Sequence, residues 1–271
     1  MLLLRRFRPG SAPSHGAVGR VLVVLRWPLG LLRVSWRYLW RTTPIHRSGE
    51  PGGPEDMPAP LPDDILDDRV QTASEGVGPL LHRRYSAFAA GSEMTPEEVM
   101  RHFREDPNWS TPGDMAVFAK TSGEPGDMLV GDEYVVRMPG PYNGPVRVVA
   151  RDVARVRMAT LTGHLEAGQI EFRARREAGG LRFEIESWAR SGDRLSHVLY
   201  NYLRLAKEIQ LNLWVETCMT VVRRTGGRLR GGVDVHTRTI DPDAFTRYAA
   251  AATASAGSPV TAGSRRPPTT S

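Results

Sequence analysis

The chain has 271 residues, of which 40% are hydrophobic, and its formal net charge is +6. This length and composition allow one large domain or two small ones, with enough apolar residues to build a core. The only cysteine, Cys218, excludes an intramolecular disulfide and lies in a helical apolar pattern that predicts a buried thiol. Residues 1–47 contain nine arginines and no acidic residue, so the net charge of +6 becomes −3 for the rest of the chain. This distribution argues against nucleic-acid binding by the main body.

The basic charge belongs to an N-terminal arm, residues 1–47. Within the arm, residues 20–41 predict a separate basic amphipathic helix with its arginines on one side. The longest uncharged run in this helix has six residues, well short of the roughly 18 that a membrane span needs. We therefore predict that the helix lies in the interface of an anionic membrane. The predicted membrane contacts are Arg26, Trp27, Arg33, Trp36, Arg37, Trp40 and Arg41.

Other interpretations of the arm stay open. The helix could dock on the body, or the chain could start upstream of the natural initiation site. A true membrane span is disfavoured because inserting the central arginines into the bilayer costs more free energy than inserting the leucines and valines releases. Binding of the arm to nucleic acid is the remaining alternative.

Composition divides the rest of the chain into a linker, a body and a tail. Residues 48–78 are rich in proline, glycine and acidic residues, which predicts a disordered linker. Residues 249–271 are of low complexity and predict a disordered tail. The remaining residues, 79–244, have an ordinary length for a single domain.

The body opens with a predicted strand over residues 80–90, followed by a helix that begins with a capping box at Thr95 and Glu98. Residues 115–120 predict another strand, and residues 131–186 contain several runs that alternate apolar and polar positions. Such alternation predicts antiparallel strands with one apolar face and one face in water. The predicted inward residues are Val156, Met158, Thr160, Ile170, Phe172, Ala174, Leu181, Phe183 and Ile185. The predicted outward residues are Arg155, Arg157, Glu171, Arg173, Arg175, Arg182, Glu184 and Glu186.

A long helix is predicted over residues 196–224, which contain neither proline nor glycine and carry apolar residues near helical spacing. This helix would cover the apolar face of the sheet. Residues 232–240 predict a short strand after it.

This order of elements resembles the START-like helix-grip (SRPBCC) superfamily. Within it, the chain resembles a bacterial family of domains of unknown function that carries the hairpin motif TLxGHxExGxxxF. The relatives continue with a second glutamate pair and a Ser-Arg-Pro stretch, where this chain has Gln169, Ile170 and "WARSGD". The resemblance implies an α+β fold over roughly residues 80–240, in which a curved antiparallel sheet grips a long C-terminal helix. It also implies a cavity for lipids or other hydrophobic molecules. The motif stands here as Thr160, Leu161, Gly163, His164, Glu166, Gly168 and Phe172.

The motif could also carry chemistry of its own. A metal site would use His164, Glu166 and Glu171, but this spacing matches no known zinc pattern and no second histidine or cysteine lies nearby. Acid–base catalysis would require a substrate pocket at the same place. We favour a turn over residues 162–168 whose glycines adopt positive φ and whose histidine and glutamate bond to the backbone. Contact with a ligand remains the main alternative.

We therefore predict a cytoplasmic protein, peripheral at the inner face of the membrane, that binds a hydrophobic small molecule or lipid without a metal or other cofactor. No catalytic residue is predicted. The alternatives are an enzyme that acts on a bound hydrophobic substrate and a membrane-tethered interaction module without a ligand. The predicted ligand contacts are Tyr134, Arg137, Tyr142, His164, Glu166, Trp188, Tyr200 and Asn212.

Overall fold

A computed structural model describes residues 44–138, 143–192 and 200–256, without the side chains of residues 200–209 and 252–256. The predicted membrane helix of the arm lies outside these residues, and so does Tyr142. Within the described part of the chain, no helix is both long and apolar enough to cross a membrane.

Nine strands of the described residues form one curved, open sheet in the order β1-β9-β2-β8-β7-β6-β5-β4-β3. Neighbouring strands are antiparallel except for β1 and β9, which are parallel. The strands are β1 (Ile45–Pro51), β2 (Val77–Ala90), β3 (Val117–Ser122), β4 (Glu133–Arg137), β5 (Asn143–Arg151), β6 (Arg155–Thr160), β7 (Glu166–Glu177), β8 (Gly180–Ser191) and β9 (Arg228–Ile240).

Three α-helices accompany the sheet in the described residues: α1 (Pro96–Glu105), α2 (Tyr200–Arg224) and α3 (Pro242–Ala256). The predicted capping box of α1 is confirmed. The backbone N–H of Glu98 donates to the Thr95 hydroxyl at 3.2 Å, and the backbone N–H of Thr95 donates to the Glu98 carboxylate at 2.7 Å. The long helix α2 is not the last element of the fold, because β9 and α3 follow it.

The face of the sheet that packs against α1 and α2 is the apolar face that the alternation predicts. Phe172, Phe183 and Ile185 are buried there together with Leu213 and Val215 of α2. Cys218 lies in the same core, as predicted, and burial raises the pKa of its thiol. A long helix across a curved antiparallel sheet, which the resemblance implies, is therefore confirmed.

The opposite face of the sheet, which we predict to lie in water, instead carries buried carboxylates. Glu171, Glu184 and Glu186 are among the least exposed residues of the domain. Arginines from neighbouring strands lie across them, as in the pairs Arg157–Glu171 at 2.7 Å and Arg173–Glu184 at 2.8 Å. The alternation gives the direction of these side chains correctly, but the arginines shield the carboxylates from solvent.

The predicted disordered linker, residues 48–78, contains ordered structure. Its first residues belong to β1, which pairs with β9 along the edge of the sheet. Asp56 is buried against His82, and Val70 forms a β-bridge with Leu161. Pairing with the sheet supplies hydrogen bonds and burial that the composition of an isolated segment does not reveal. The predicted tail is also shorter than expected, because α3 extends to residue 256.

Candidate ligand cavity

A cavity lies between α2 and strands of the apolar face of the sheet. Its deeper walls are apolar and include Phe118, Val146, Met158, Phe172, Leu213 and Trp214. The side chains of these residues are almost entirely buried. Polar residues also contribute to the lining: Thr160, His164, Glu166, Gln169, Ser187 and Gln210.

The volume of the cavity is about 90 Å³, counted as the space open to the centres of water molecules. By this measure one water needs about 10–15 Å³, so the cavity has room for roughly six to nine waters. The volume of about 90 Å³ is well below the roughly 300–1,000 Å³ typical of small-molecule sites. The cavity therefore suits a molecule built on about one ring and not a complete lipid.

The turn between β6 and β7 positions the polar end of the cavity. It is shorter than the predicted 162–168, because β7 begins at Glu166 and Gly168 pairs with β8. Gly163 has a φ of +95°, a conformation that side chains rarely adopt, and the backbone N–H of His164 donates to the carbonyl of Leu161 at 3.0 Å. The backbone N–H of Glu166 donates to Nδ1 of His164 at 2.9 Å. The carbonyl oxygen of Glu166 lies 3.0 Å from the same nitrogen, so Nδ1 bonds to the backbone of Glu166 in either neutral tautomer, as acceptor from its N–H or as donor to its carbonyl.

Burial lowers the pKa of His164, against the opposing effect of the Glu166 carboxylate and its backbone. The imidazole packs against Gly144, where an added Cβ would lie 3.0 Å from Nε2. The histidine is thus held neutral and fixed in place.

Glu166 is connected to α2 by a hydrogen bond. Nε2 of Gln210 donates to Oε2 of Glu166 at 2.8 Å, and Nη1 of Arg83 donates to the amide oxygen of Gln210 at 3.4 Å. This chain of polar groups joins β2, α2 and β7 at the half-exposed end of the cavity. Beside it, burial raises the pKa of Tyr85 to about 12, so this phenol stays neutral at ordinary pH.

Trp214 follows Gln210 by one helical turn, which places the two side chains on the same side of α2. Its indole N–H is buried and has no hydrogen-bond partner among the described residues. A buried donor without a partner is unusual and costs free energy. An acceptor atom of a bound molecule could satisfy it.

Only some of the predicted ligand contacts lie at the cavity. His164 and Glu166 line the cavity. Tyr134 is buried in the core beyond it, with the ammonium of Lys120 5.6 Å from its ring centroid. Arg137 is exposed and faces the other side of β4, because side chains alternate along a strand and Val136 lines the cavity.

Trp188 lies on the opposite face of the sheet, so the prediction that it faces the cavity is wrong. Its ring stacks on His82 with 5.1 Å between centroids, in a separate cluster that includes Ala244 and Phe245 of α3. Asn212 is buried in α2 but does not line the cavity. The side chain of Tyr200 is outside the described set, as is all of Tyr142.

Gln210 and Trp214 are among the cavity residues that the sequence prediction missed. Gln210 is a polar residue within the apolar stripe of the predicted helix, and Trp214 follows it at helical spacing. A polar residue on a helix face that should be buried is a signal that the face borders a cavity or a polar partner. Among the described residues, no three histidine, cysteine, aspartate or glutamate side chains come together in a way that could hold a metal ion.

Fold and site together define an α+β protein in which a long helix lies across a curved, open sheet and encloses a small, mainly apolar cavity. Residues 104–217 match the family described as "Domain of unknown function (DUF1990)". The matched region contains all of the cavity residues named above. No curated protein matches the chain.

Among solved structures, the chain is similar to the di-domain ARO/CYC StfQ from the steffimycin biosynthetic pathway, with 10% identity and a TM-score of 0.38. The similarity covers 57% of this chain and 53% of StfQ, so this chain spans about half of that protein. Major latex-like protein 151 from Panax ginseng is 15% identical over 54% of this chain and 98% of its own, with a TM-score of 0.35. Protein Ms6760 from Mycobacterium smegmatis is 13% identical over 58% and 93% of the two chains, with a TM-score of 0.33. At these values the likeness indicates neither a ligand nor an activity.

Proposed function

We propose that the protein binds a small, mainly apolar molecule non-covalently in the cavity between α2 and the sheet. The observation that carries this proposal is an apolar cavity enclosed by buried side chains of β3, β5, β6, β7 and α2. A core without a binding function would normally be packed to near-crystalline density, with few voids larger than a water molecule. The size of the cavity favours a molecule of about one ring.

Catalysis on the bound molecule is the second candidate, because two titratable groups, His164 and Glu166, line the cavity. However, Nδ1 of His164 is already bonded to the backbone of Glu166, and burial lowers the pKa of the ring. With Nδ1 bonded to the backbone, only Nε2 remains for proton transfer, and this nitrogen packs against Gly144. The geometry therefore supports binding better than acid–base catalysis by a pair of groups.

Filling the cavity tests the binding proposal. Ala189 lines the cavity, and Ala189→Leu would place three additional carbon atoms in it. We expect the full chain to bind ethylbenzene, and Ala189→Leu to weaken this binding by at least about tenfold, or about 1.4 kcal/mol. Isothermal titration calorimetry at fixed temperature measures both affinities.

Ala178→Leu is the matched control, since Ala178 is exposed in the turn between β7 and β8. It introduces the same side chain on the same pair of strands and should leave the affinity unchanged. Thermal melts verify that both variants are folded. If the wild-type chain fails to bind ethylbenzene, or if folded Ala189→Leu binds it as well as the control, the proposal is wrong.

We further propose that the arm, residues 1–47, holds the protein on an anionic membrane surface at the inner face of the membrane. The support is the sequence of residues 20–41, in which arginines on one side of a helix accompany three tryptophans. Arginine attracts anionic lipid headgroups, and tryptophan prefers the interface between headgroups and acyl chains.

Sedimentation with lipid vesicles tests the arm. A truncation should remove residues 1–42 only, because the carbonyl of Pro44 accepts the N–H of Val233 and β1 begins at Ile45. We expect the full chain to sediment with vesicles that contain phosphatidylglycerol, and the truncated chain to stay in the supernatant. Replacement of Arg26, Arg33, Arg37 and Arg41 by glutamine should weaken binding by at least about tenfold, since each basic residue contributes about 1 kcal/mol. Equal sedimentation of the full and truncated chains would contradict the membrane proposal.

A further inference from the structure

We infer that the cavity selects molecules with a protonated amine, which the carboxylate of Glu166 receives at the half-exposed end. This inference rests on the proposed function, because it names the ligand class of the same cavity. It starts from a comparison of Glu166 with the buried carboxylates of this chain and their pairing partners.

Each buried carboxylate among the described residues is paired with a cationic or histidine side chain. The pairs include bidentate contacts, such as that between Arg69 and Glu133, as well as bonds to single nitrogens. Such pairing is expected, because an unpaired charge out of water is costly. The paired carboxylates are Asp56, Asp132, Glu133, Glu171, Glu184 and Glu186.

Glu166 differs from all of these. It lines an apolar cavity, yet among the described residues its carboxylate forms no ion pair with an arginine or lysine. Its partner is the neutral amide of Gln210, and the nearby guanidinium of Arg83 reaches that amide and not the carboxylate. Within the described part of the chain, the site therefore offers a carboxylate that no cationic side chain pairs with, and a cationic ligand can take this place.

The position of Glu166 also fixes how a ligand would lie. His164, Glu166 and Gln210 are half-exposed, whereas Met158 and Phe172 at the other end of the cavity are buried. A ligand with one charged end and one apolar end would keep its charge near solvent and place its ring in the depth. This orientation lowers the cost of removing the charge from water.

The aromatic walls of the cavity suit the same ligand. Trp214 lies one helical turn from Gln210, and its ring contacts that of Phe172 edge-on with 5.6 Å between centroids. Aromatic faces attract ammonium groups and also pack well against a ring of the ligand. A carboxylate-bearing ligand would meet only repulsion from Glu166.

The inference is tested with four probes of matched size: 2-phenylethylamine, 2-phenylethanol, ethylbenzene and 3-phenylpropionate. At pH 7 the amine should bind the full chain at least about tenfold more tightly than the alcohol, because a charge-assisted bond is about twice as strong as a neutral one. The carboxylate probe should bind more weakly than ethylbenzene. Calorimetry or ligand-observed NMR gives the four affinities.

Glu166→Gln keeps the shape of the side chain and a partner for Gln210 while removing the charge. In this variant the amine should lose at least about tenfold in affinity, while ethylbenzene should bind as before. Glu177→Gln, at the far end of the same strand and outside the cavity lining, is the matched control and should leave all four affinities unchanged.

The outcomes separate this inference from the proposed function. If ethylbenzene binds and the amine is no better than the alcohol, or if Glu166→Gln keeps the amine preference, the inference is wrong and the binding proposal stands. If none of the four probes binds, the proposed function itself fails and the inference falls with it.

Discussion

Replacement of Glu186 by alanine is expected to lower the free energy of unfolding by about 3–5 kcal/mol, the range measured when one partner of a buried ion pair is removed. The side chain of Glu186 is only 7% exposed. Its Oε1 accepts bonds from Nε2 of His82 and from Nη2 of Arg84, each at 2.7 Å. The variant would leave the buried His82 with Asp56 as its remaining carboxylate and would remove the partner of Arg84, whose side chain is 40% exposed, so the loss should lie near the lower end of this range. Urea unfolding followed by circular dichroism measures the loss.

Glu177→Ala is the matched control for this prediction. Glu177 also pairs with two arginines, Arg175 at 2.9 Å and Arg182 at 2.7 Å, but its side chain is 24% exposed. Ion pairs near solvent contribute about 0–1 kcal/mol, so this variant should be nearly neutral. Equal losses in the two variants would show that burial of Glu186 does not determine its contribution.

The same residue makes stability depend on pH. Burial opposes ionisation of Glu186, but the hydrogen bonds from His82 and Arg84 and the charge of Arg173 outweigh it and lower its pKa from 4.5 to about 2. Because the folded pKa is depressed, the stabilisation is complete above the unfolded value and is lost as pH falls from about 5 to about 2. The difference in pKa corresponds to about 3 kcal/mol. The gap in stability between wild type and Glu186→Ala should therefore shrink over this pH range.

Local patterns in the sequence predict most of the elements that surround the cavity. The capping box fixes the start of α1, and the alternation in residues 155–186 gives the direction of each side chain in β6, β7 and β8. Both signals depend on neighbours within a few residues, so no tertiary information is required. The turn predicted for the motif is correct only in part: Gly163 and Gly168 have positive φ and His164 bonds to the backbone of Glu166, but Gly168 lies in β7 and the carboxylate of Glu166 bonds to Gln210.

The predictions that are wrong, such as the one for Trp188, have a different cause. Trp188 has the same parity in β8 as Arg182, Glu184 and Glu186, so the alternation itself places it away from the cavity. Its size and apolar character suggested burial in the main core, but α3 creates a second buried cluster on the outer face. The pairing of β1 with β9 leaves no local signal, because it depends on contacts between segments far apart in sequence. The start of α3 does have one, since Asp241 caps its first turn and Pro242 is its first residue. The charged residues that bury Glu171 and Glu184 are likewise on neighbouring strands.

Replacement of Gly168 by alanine is expected to be the most damaging single change in the motif, with a loss of more than about 3 kcal/mol. Gly168 has a φ of +155°, and a Cβ at this position would overlap the backbone carbonyl of Trp188 in the neighbouring strand. A backbone atom in a sheet cannot move aside without breaking the ladder between β7 and β8. The N–H of Gly168 also donates to the Thr160 hydroxyl at 2.9 Å, so a shift would disturb the connection to β6 as well.

Gly163→Ala separates backbone strain from this steric overlap. Gly163 also has a positive φ, +95°, but a Cβ there would meet open space. Strain alone costs about 1–3 kcal/mol, so this variant should remain folded and be the more stable of the two in urea unfolding. Equal losses would mean that the positive φ, and not the approach of the Trp188 carbonyl, requires glycine at residue 168. A larger loss for Gly168→Ala would show that the motif glycine allows β7 and β8 to approach closely beside the polar end of the cavity, which in turn positions Glu166.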